Sequence, residues 1–550
     1  MNMPFLTMQA LLGTDKRPPE FPADESEAGR LTQAVAAMRD GSENADALKL
    51  LRAAGVQAVC GLAGYLPPRA DSGLAEPCPP ESRTPVDKAA IIDLLRQILS
   101  NGSDRMRLEA FRLMSGAGKV LPPTLLPQAL ELGRRTPALR GPIAQVAGER
   151  GRWLGARNAA WNLFATSSGG ELDPEVWDSG TLAQREAYLK TLRAQEPAKA
   201  RELFEAASAS LDARERAAFT GCLEEGLSTA DEAFLETLLE KDRSKEVRQT
   251  AASLLVRLPE SGYVRRMAGR LAPCIAVPEA KSGIISRIAS AFAAPLPGIE
   301  PPESFDPEWK KDMLEEKKPQ YEEFGQRGWW LYQIGRGVPL AWWETHTGLS
   351  PEALIGWAQK TDWSKVLFRI WLEAAQRERH PQWAAALLAR VFGEHLEVSV
   401  GKGRIDAFAF IGILPPSERE AALLERFPCP GPTDGGDTFA QRHYKQVMQF
   451  GRFSPPDGDT PFSLEGGRAL VRRIRFWADH SDGIGQISYQ TSIALGHIIE
   501  ATFWLIPLPL LDDLLADWPC SEKGTPFCRS GYDFLTTAIK ARKALHHYFA

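Results

Sequence analysis

The chain is short of most features that announce a chemistry. Cysteine is scarce: seven in 550 residues, at Cys60, Cys78, Cys222, Cys274, Cys429, Cys520 and Cys528. An odd number so widely spaced is no disulfide framework, and it suits a reducing compartment. Neither sign of charge dominates, since 65 basic and 70 acidic residues leave a formal net charge of −5. That balance gives no general attraction to nucleic acid or anionic membrane, although a local basic groove is still compatible with it. Long apolar runs are missing too. The longest, Ile493 to Leu511, is interrupted by His497, Glu500, Pro507 and Pro509, which argues against a membrane span. The opening segment has no basic residues ahead of its apolar stretch, so no signal peptide and a cytoplasmic location are expected.

Catalytic motifs are equally sparse. There is no G-x-S-x-G and no cysteine in a nucleophile context. Ser115-Gly116-Ala117-Gly118-Lys119-Val120 resembles half a phosphate loop, but Leu113 stands where the first glycine belongs and Val120 where the Mg²⁺-binding hydroxyl belongs. A glycine-ended helix before Pro122-Pro123 is the plainer reading. Cys520 and Cys528, with His546-His547 beyond them, do not have zinc-finger spacing, and Trp343-Glu344-Thr345-His346 is not a zincin motif. His497 reads as a hydrogen-bonded core histidine. Glu322-Glu323 and Asp512-Asp513 are adjacent pairs, which point in different directions on a helix. No catalytic residue, metal site or cofactor is therefore expected.

What the chain has is helical periodicity. Hydrophobic residues make up 44% and charged residues 25%, as in globular proteins, and the length exceeds the ~250–300 residues one core supports. Two proline-rich breaks, Leu66 to Pro85 and Pro295 to Pro307, read as loops or linkers, and Phe427 to Gly467 reads as irregular. Leu48, Leu51 and Ala54 predict a helix stopped by Gly55; Ile91 to Ile98 predict another, halted at Asn101-Gly102. Between Thr181 and Leu271 five amphipathic stripes follow one another, with Thr181 as a cap and Pro197 in a first turn. His395 to Val400 alternates like a short strand. Ala200-Arg201 and Val247-Arg248 lie 47 residues apart, and Met106-Arg107 lies twice that distance before the first. Such a period belongs to stacked helix pairs.

Asp242-Arg243-Ser244-Lys245-Glu246-Val247-Arg248, followed by Gln249-Thr250-Ala251-Ala252, resembles a HEAT repeat, with an Asp in the turn, then Val-Arg and paired small residues on the next helix. Asp242, Val247 and Arg248 are accordingly read as structural. Ala10 to Pro18, Asp231 to Glu236 and Leu258-Pro259-Glu260-Ser261 with Arg265, Arg266 and Met267 are similar to an uncharacterised bacterial family of HEAT-like helical proteins. The similarity covers mostly residues 1–270. Genes of that family often lie beside MoxR-type AAA+ ATPases, SWIM zinc-finger proteins and von Willebrand A-domain proteins. The resemblance implies a partner in an ATPase-linked assembly and transfers no catalytic residue.

The expected fold is all-α: a HEAT-like helical-repeat solenoid followed by a Trp-rich, mainly helical C-terminal domain. The expected divisions are 1–130, repeats over 131–294, a linker at 295–307 and the Trp-rich domain over 308–550. That last part holds Trp329-Trp330, Trp342-Trp343, Trp357, Trp363, Trp371 and Trp383 within 55 residues. Such rings form either a core of large side chains or a recognition surface. The binding surface is expected at Trp329, Trp330, Trp342 and Trp343, one ring of each pair facing outward, with Arg327, Arg336 and Arg369 near enough to stack on them. Arg472, Arg473 and Arg475 with Phe476 and Trp477, and Arg150, Arg152 and Arg157 with Trp153 and Trp161, could grip a nucleic-acid strand, or pack arginine over tryptophan. The functional expectation is a non-enzymatic protein-interaction scaffold or adaptor. A nucleic-acid binder and an enzyme with a site assembled from distant residues are its rivals.

Overall fold

The computed structural model describes residues 3–14, 17–21, 26–38, 44–63, 76–165, 174–278, 296–393, 395–400, 403–431, 434–450, 453, 461–480, 496–516, 518 and 526–550. Two units are separate, residues 1–78 and 79–550, and the division falls inside the first proline-rich break.

In the first unit, helices α1 (Met3–Leu12), α2 (Glu27–Ala36) and α3 (Ala45–Ala63) pack around Leu6, Leu50 and Ala53. The Ser26 hydroxyl caps α2 by accepting from the Gly29 N–H. Helix α3 does not stop at Gly55. An interior glycine costs only about 1 kcal/mol, and the Val-Gln-Ala-Val run beyond it carries the helix on to Ala63.

The second unit is all-α and helical-repeat-like. Its helices begin with α4 (Ala89–Asn101), α5 (Asp104–Gly116), α6 (Leu126–Arg135) and α7 (Arg140–Arg157). There follow α8 (Glu175–Ser179), α9 (Leu182–Gln195), α10 (Pro197–Ala207), α11 (Ala213–Cys222), α12 (Glu232–Lys241), α13 (Lys245–Leu255) and α14 (Gly262–Leu271). Thr181 and Gln184 form a capping box on α9, Pro197 opens α10, and Ser244 and Ser261 cap α13 and α14. Among the described residues the sheets are two-stranded: β1 (Thr84–Pro85) with β2 (Lys119–Val120), β3 (Ile275–Ala276) with β4 (Gly298–Ile299), and the hairpin β5 (Glu397–Val400) with β6 (Gly403–Asp406). Strand β5 is the alternating run seen in the sequence. Pairing at β1 brings Glu81 to α7, where Gly148 breaks the helix at φ +66° and frees two N–H groups. The Glu81 carboxylate accepts from both, Glu149 at 2.9 Å and Arg150 at 2.8 Å.

The arginines spaced by multiples of 47 have an identifiable job. Arg107 Nε donates to the Ile98 carbonyl at 3.2 Å, and Arg248 Nε donates to the Leu239 carbonyl at 2.6 Å. Each reaches back nine residues to a carbonyl in the last turn of the preceding helix, and Arg107 also donates to the orphan Leu99 carbonyl at 3.1 Å. Arg201 differs, pairing with Asp231 at 3.2 Å. Val247 is fully buried. Asp242 accepts Arg216 through both oxygens, at 2.7 and 3.2 Å, and the Ser244 N–H at 2.8 Å, so it ties α11 to the turn before α13. The most heavily bonded arginine, Arg193, was not apparent in the sequence. It is fully buried, pairs with the fully buried Asp231 through both oxygens, and donates to the carbonyls of Pro197, Leu223, Glu225 and Gly226.

Beyond α14 come α15 (Gln326–Gly335), α16 (Leu340–Thr347), α17 (Pro351–Ala358), α18 (Ser364–Glu378) and α19 (Pro381–Leu387). Residues 296–307, the described part of the expected linker, are packed rather than free. Ile299 pairs with Ile275, and Arg327 donates to Glu300 and to the carbonyls of Pro301 and Pro302. The remaining helices are α20 (Ala407–Ile411), α21 (Pro416–Arg426), α22 (Gly436–Phe450), α23 (Leu464–Asp479), α24 (Leu511–Leu515) and α25 (Pro526–Phe549). Helix α22 lies within the stretch expected to be irregular. It buries Ala440, Val447 and Phe450 on one face, a stripe obscured in sequence by the Gly- and Pro-rich flanks. Helix α25 returns to the start of the unit and packs on α4 and α5. There Arg542, buried, bonds Glu109 at 3.0 Å and the carbonyls of Phe503, Trp504 and Ile506. No helix among the described residues is long and apolar enough to cross a membrane.

Candidate functional site

The tryptophans are core. Trp343, Trp371 and Trp383 are fully buried, and ring contacts run from Trp342 through Trp343 and Trp371 to Trp383 at centroid distances of 5.5, 5.3 and 5.4 Å. Trp329 and Trp330 are both buried, with Trp330 Nε1 donating to the Glu316 carbonyl at 2.9 Å. Trp342 is half-buried and stacks on His346 at 4.4 Å. The expectation of one outward ring in each pair is corrected at Trp329-Trp330, where both rings are buried, while in the second pair Trp342 keeps part of its surface exposed. Large rings stacked edge-to-face fill the space between helices and leave no exposed aromatic patch at Trp329-Trp330. Arg327 is spent on the 300–302 backbone and Glu300. Arg369 lies 4.2 Å over the Tyr332 ring and pairs with Glu322 and Glu373.

Arg336 is the expected binding residue that does reach a concave site. Just past the end of α15, it lines a cleft of about 360 Å³ where α13 and α14 meet α15 and α18. The close approach depends on Gly337, because a Cβ there would stand 2.6 Å from Cγ of Met267 on α14. Helix α13 supplies Gln249 and Ser253, α14 supplies Tyr263, the 312–314 turn supplies Asp312 and Met313, and α18 supplies Arg377.

The turn is held under strain. Met313 has φ +66°, a left-handed conformation that a non-glycine residue adopts at a cost. The preceding Asp312, buried, is gripped by Arg266 at 2.7 Å and Arg270 at 2.6 Å. Those two guanidiniums neutralise the acid that lines the cleft, and Glu236 takes the rest of Arg266 at 2.9 Å. Across the cleft Arg377 pairs with Glu378 at 3.0 Å and donates to the Arg336 carbonyl at 3.0 Å, while its buried Nε has no partner. Burial, with the nearby Arg336 charge adding to it, pulls the Arg377 guanidinium below its ordinary value. Arg336 itself is exposed, stands 5.6 Å from the Tyr332 ring centre and makes no ion pair among the described residues. Tyr263 is 6% exposed, and its hydroxyl has no hydrogen-bond partner among the described residues. Burial pushes its pKa up to about 12, so it stays a donor at neutral pH. The lining is thus positive and rich in uncommitted donors. Its flanks, Ala252, Val256 and Leu314, are apolar.

Other sequence candidates settle differently. Ser115 and Gly116 line a larger cavity of about 620 Å³, but they sit at the C-terminal end of α5, the negative end of a helix and the wrong one for phosphate. Of the cysteine–histidine group, Cys520 and the Cys528 side chain lie outside the described residues, while His546 bonds Glu109 at 2.6 Å. His497 is exposed on a helix, and its neighbours Ile498 and Ile499 take the buried face, so the expected core histidine is corrected. In the first basic–aromatic cluster Arg157 stacks over Trp153 at 4.3 Å, and Arg152 pairs with Glu149. In the second, Arg473 donates to the Phe427 carbonyl at 2.8 Å and Trp477 is buried. Arg472 and Arg475 line a shallow groove that also holds Asp479 and Asp513.

Comparison with known proteins adds one finding. Residues 5–549 match the model of DUF5691, a family of unknown function. The chain belongs to the DUF5691 family. The match runs through both halves, whereas the sequence resemblance rested mostly on residues 1–270. No curated protein and no solved structure gives a match. Membership of DUF5691 brings no described activity, so any function must be read from the geometry of the cleft.

Proposed function

We propose that the protein is a non-enzymatic interaction scaffold or adaptor that receives a partner protein at the junction cleft. The observation that carries this is the cleft's combination of an exposed guanidinium without an ion pair, a tyrosine hydroxyl that lines the cleft without a hydrogen bond to the described residues, and apolar flanks. Interfaces place such polar groups beside apolar surface, and arginine and tyrosine dominate their energetics. The partner class suggested by the sequence resemblance is a MoxR-type AAA+ ATPase or a von Willebrand A-domain protein in a cytoplasmic assembly. Nucleic acid is the second reading, favoured by the exposed Arg468 and Arg472 on α23. It is opposed by Asp479 and Asp513 in the same groove, which would repel phosphates.

The test is a photo-crosslinking residue at Gln249, exposed on the cleft wall, in the native host. The expected result is a discrete protein adduct absent when the same residue is placed at exposed Arg214 on α11. Adducts of equal pattern at both positions, or none at Gln249, would overturn the reading.

A further inference from the structure

We propose that the junction cleft recognises a carboxylate on a partner polypeptide, either one Asp or Glu side chain or a chain-terminal carboxylate. The inference rests on the interaction reading above and names the chemistry of the same site.

Three features of the cleft point to an anion with one charge. First, its charged lining residues are Arg336, Arg377 and Asp312, and Asp312 is already taken by Arg266 and Arg270. Second, nearby acids are engaged elsewhere: Glu378 by Arg377, Glu236 by Arg266, and Glu373 by Arg369 and the Tyr332 hydroxyl. Arg336 is left without an acid in ion-pair reach among the described residues. Third, neutral donors stand beside it. The Tyr263 hydroxyl and the Gln249 amide make no hydrogen bond to the described residues, and Arg377 Nε is buried and unsatisfied. A buried donor without a partner, here Arg377 Nε, is costly, and a carboxylate, which only accepts, is the group that relieves such a cost and can take the two neighbouring donors as well.

Size and polarity separate carboxylate from phosphate. About 360 Å³ suits one or two side chains. Ala252, Val256 and Leu314 ask the occupant for apolar surface next to its acid, which a peptide has and free phosphate lacks. A nucleic-acid strand would need a row of cations, and the lining offers two.

The test selects binders of the full chain from two random peptide libraries, one displayed with free C-termini and one with the C-terminus fused to the display protein. Enriched sequences are then measured as synthetic peptides. The expected consensus contains an acid beside apolar residues. Enrichment from the fused library assigns a side-chain carboxylate, and enrichment from the free-end library alone assigns the terminal one. Replacing the acid by its amide, or making Arg336→Gln or Tyr263→Phe, should each weaken binding, by about tenfold or more for the arginine. Arg336 is exposed and Tyr263→Phe keeps the ring, so both variants should keep the wild-type melting temperature. Absence of any enriched peptide, a consensus without acid, or less than twofold change in Arg336→Gln overturns the proposal. If the peptide results hold but Gln249 crosslinks no discrete protein in the host, the carboxylate site stands and the adaptor reading falls.

Discussion

Replacing Arg193 by leucine should destabilise the second unit more than any other single arginine substitution among the helices over 182–271. Arg193 and Asp231 are both fully buried, and all five guanidinium hydrogens are used. Leucine would fill part of the volume but leave a buried carboxylate and four carbonyls that lose a donor. Breaking one side of a buried ion pair costs about 3–5 kcal/mol. Asp231 keeps some compensation from Arg201 at 3.2 Å and the Ser228 N–H at 2.9 Å, which holds the expected loss within that range rather than above it. Arg248→Ala, by contrast, removes the bonds of a half-buried group to the Leu239 and Lys311 carbonyls and should cost about 1–3 kcal/mol. Urea unfolding followed by circular dichroism reads both, and Arg193→Leu should lower the midpoint by on the order of 1 M. The double variant Arg193→Leu with Asp231→Leu should recover part of the loss, because no charge is left stranded. A loss below about 1 kcal/mol for Arg193→Leu, or a double variant whose loss equals the sum of the singles, would refute the reasoning.

Acid should reveal the same network. Burial pushes the Asp231 and Asp242 carboxyls up, but bonds from Arg193 and Ser228, and from Arg216 and Ser244, outweigh it and leave both below the usual value. A depressed folded pKa means stability present above the unfolded value of about 3.9 and lost as pH falls through the folded one. The melting temperature should therefore drop below about pH 4, with a shallower drop in Asp231→Asn. Burial pushes the Cys222 and Cys274 thiols up to about 11, so iodoacetamide at pH 8 should leave both unlabelled in the native protein and label both in urea. Arg542→Leu should strand Glu109 and its neighbouring carbonyls, costing about 3–5 kcal/mol; an unchanged melting temperature would exclude the described docking of α25.

The helices were legible where the signal is local. Thr181, Pro197, Ser244 and the stripes beyond them mark starts and faces that no distant residue has to complete. Gly55 misled because a single glycine is cheaper to keep in a helix than to use as a stop. Residues 436–450 were hidden because Gly and Pro flank them closely. The tryptophan pairs were visible as unusual, but their role was not, since at Trp329-Trp330 both adjacent rings turn into buried faces. The cleft could not be read at all. Gln249, Tyr263, Met313, Arg336 and Arg377 span well over a hundred residues of chain, and each looks ordinary until folding gathers them. Arg336 was singled out for its closeness to tryptophan, yet what distinguishes it is the absence of an acid beside it.

A charge swap at Arg336 tests the interaction cleft most directly. With the protein crosslinked from Gln249 identified, its affinity is measured for the wild-type chain and for Arg336→Glu. The partner acid that maps to the cleft is then changed to arginine. Charge reversal should weaken binding by more than tenfold, and the reversed partner should restore most of it to the Arg336→Glu chain while losing affinity for the wild type. Equal affinity of the partner for wild-type and Arg336→Glu chains would contradict the assignment of the cleft as the docking site.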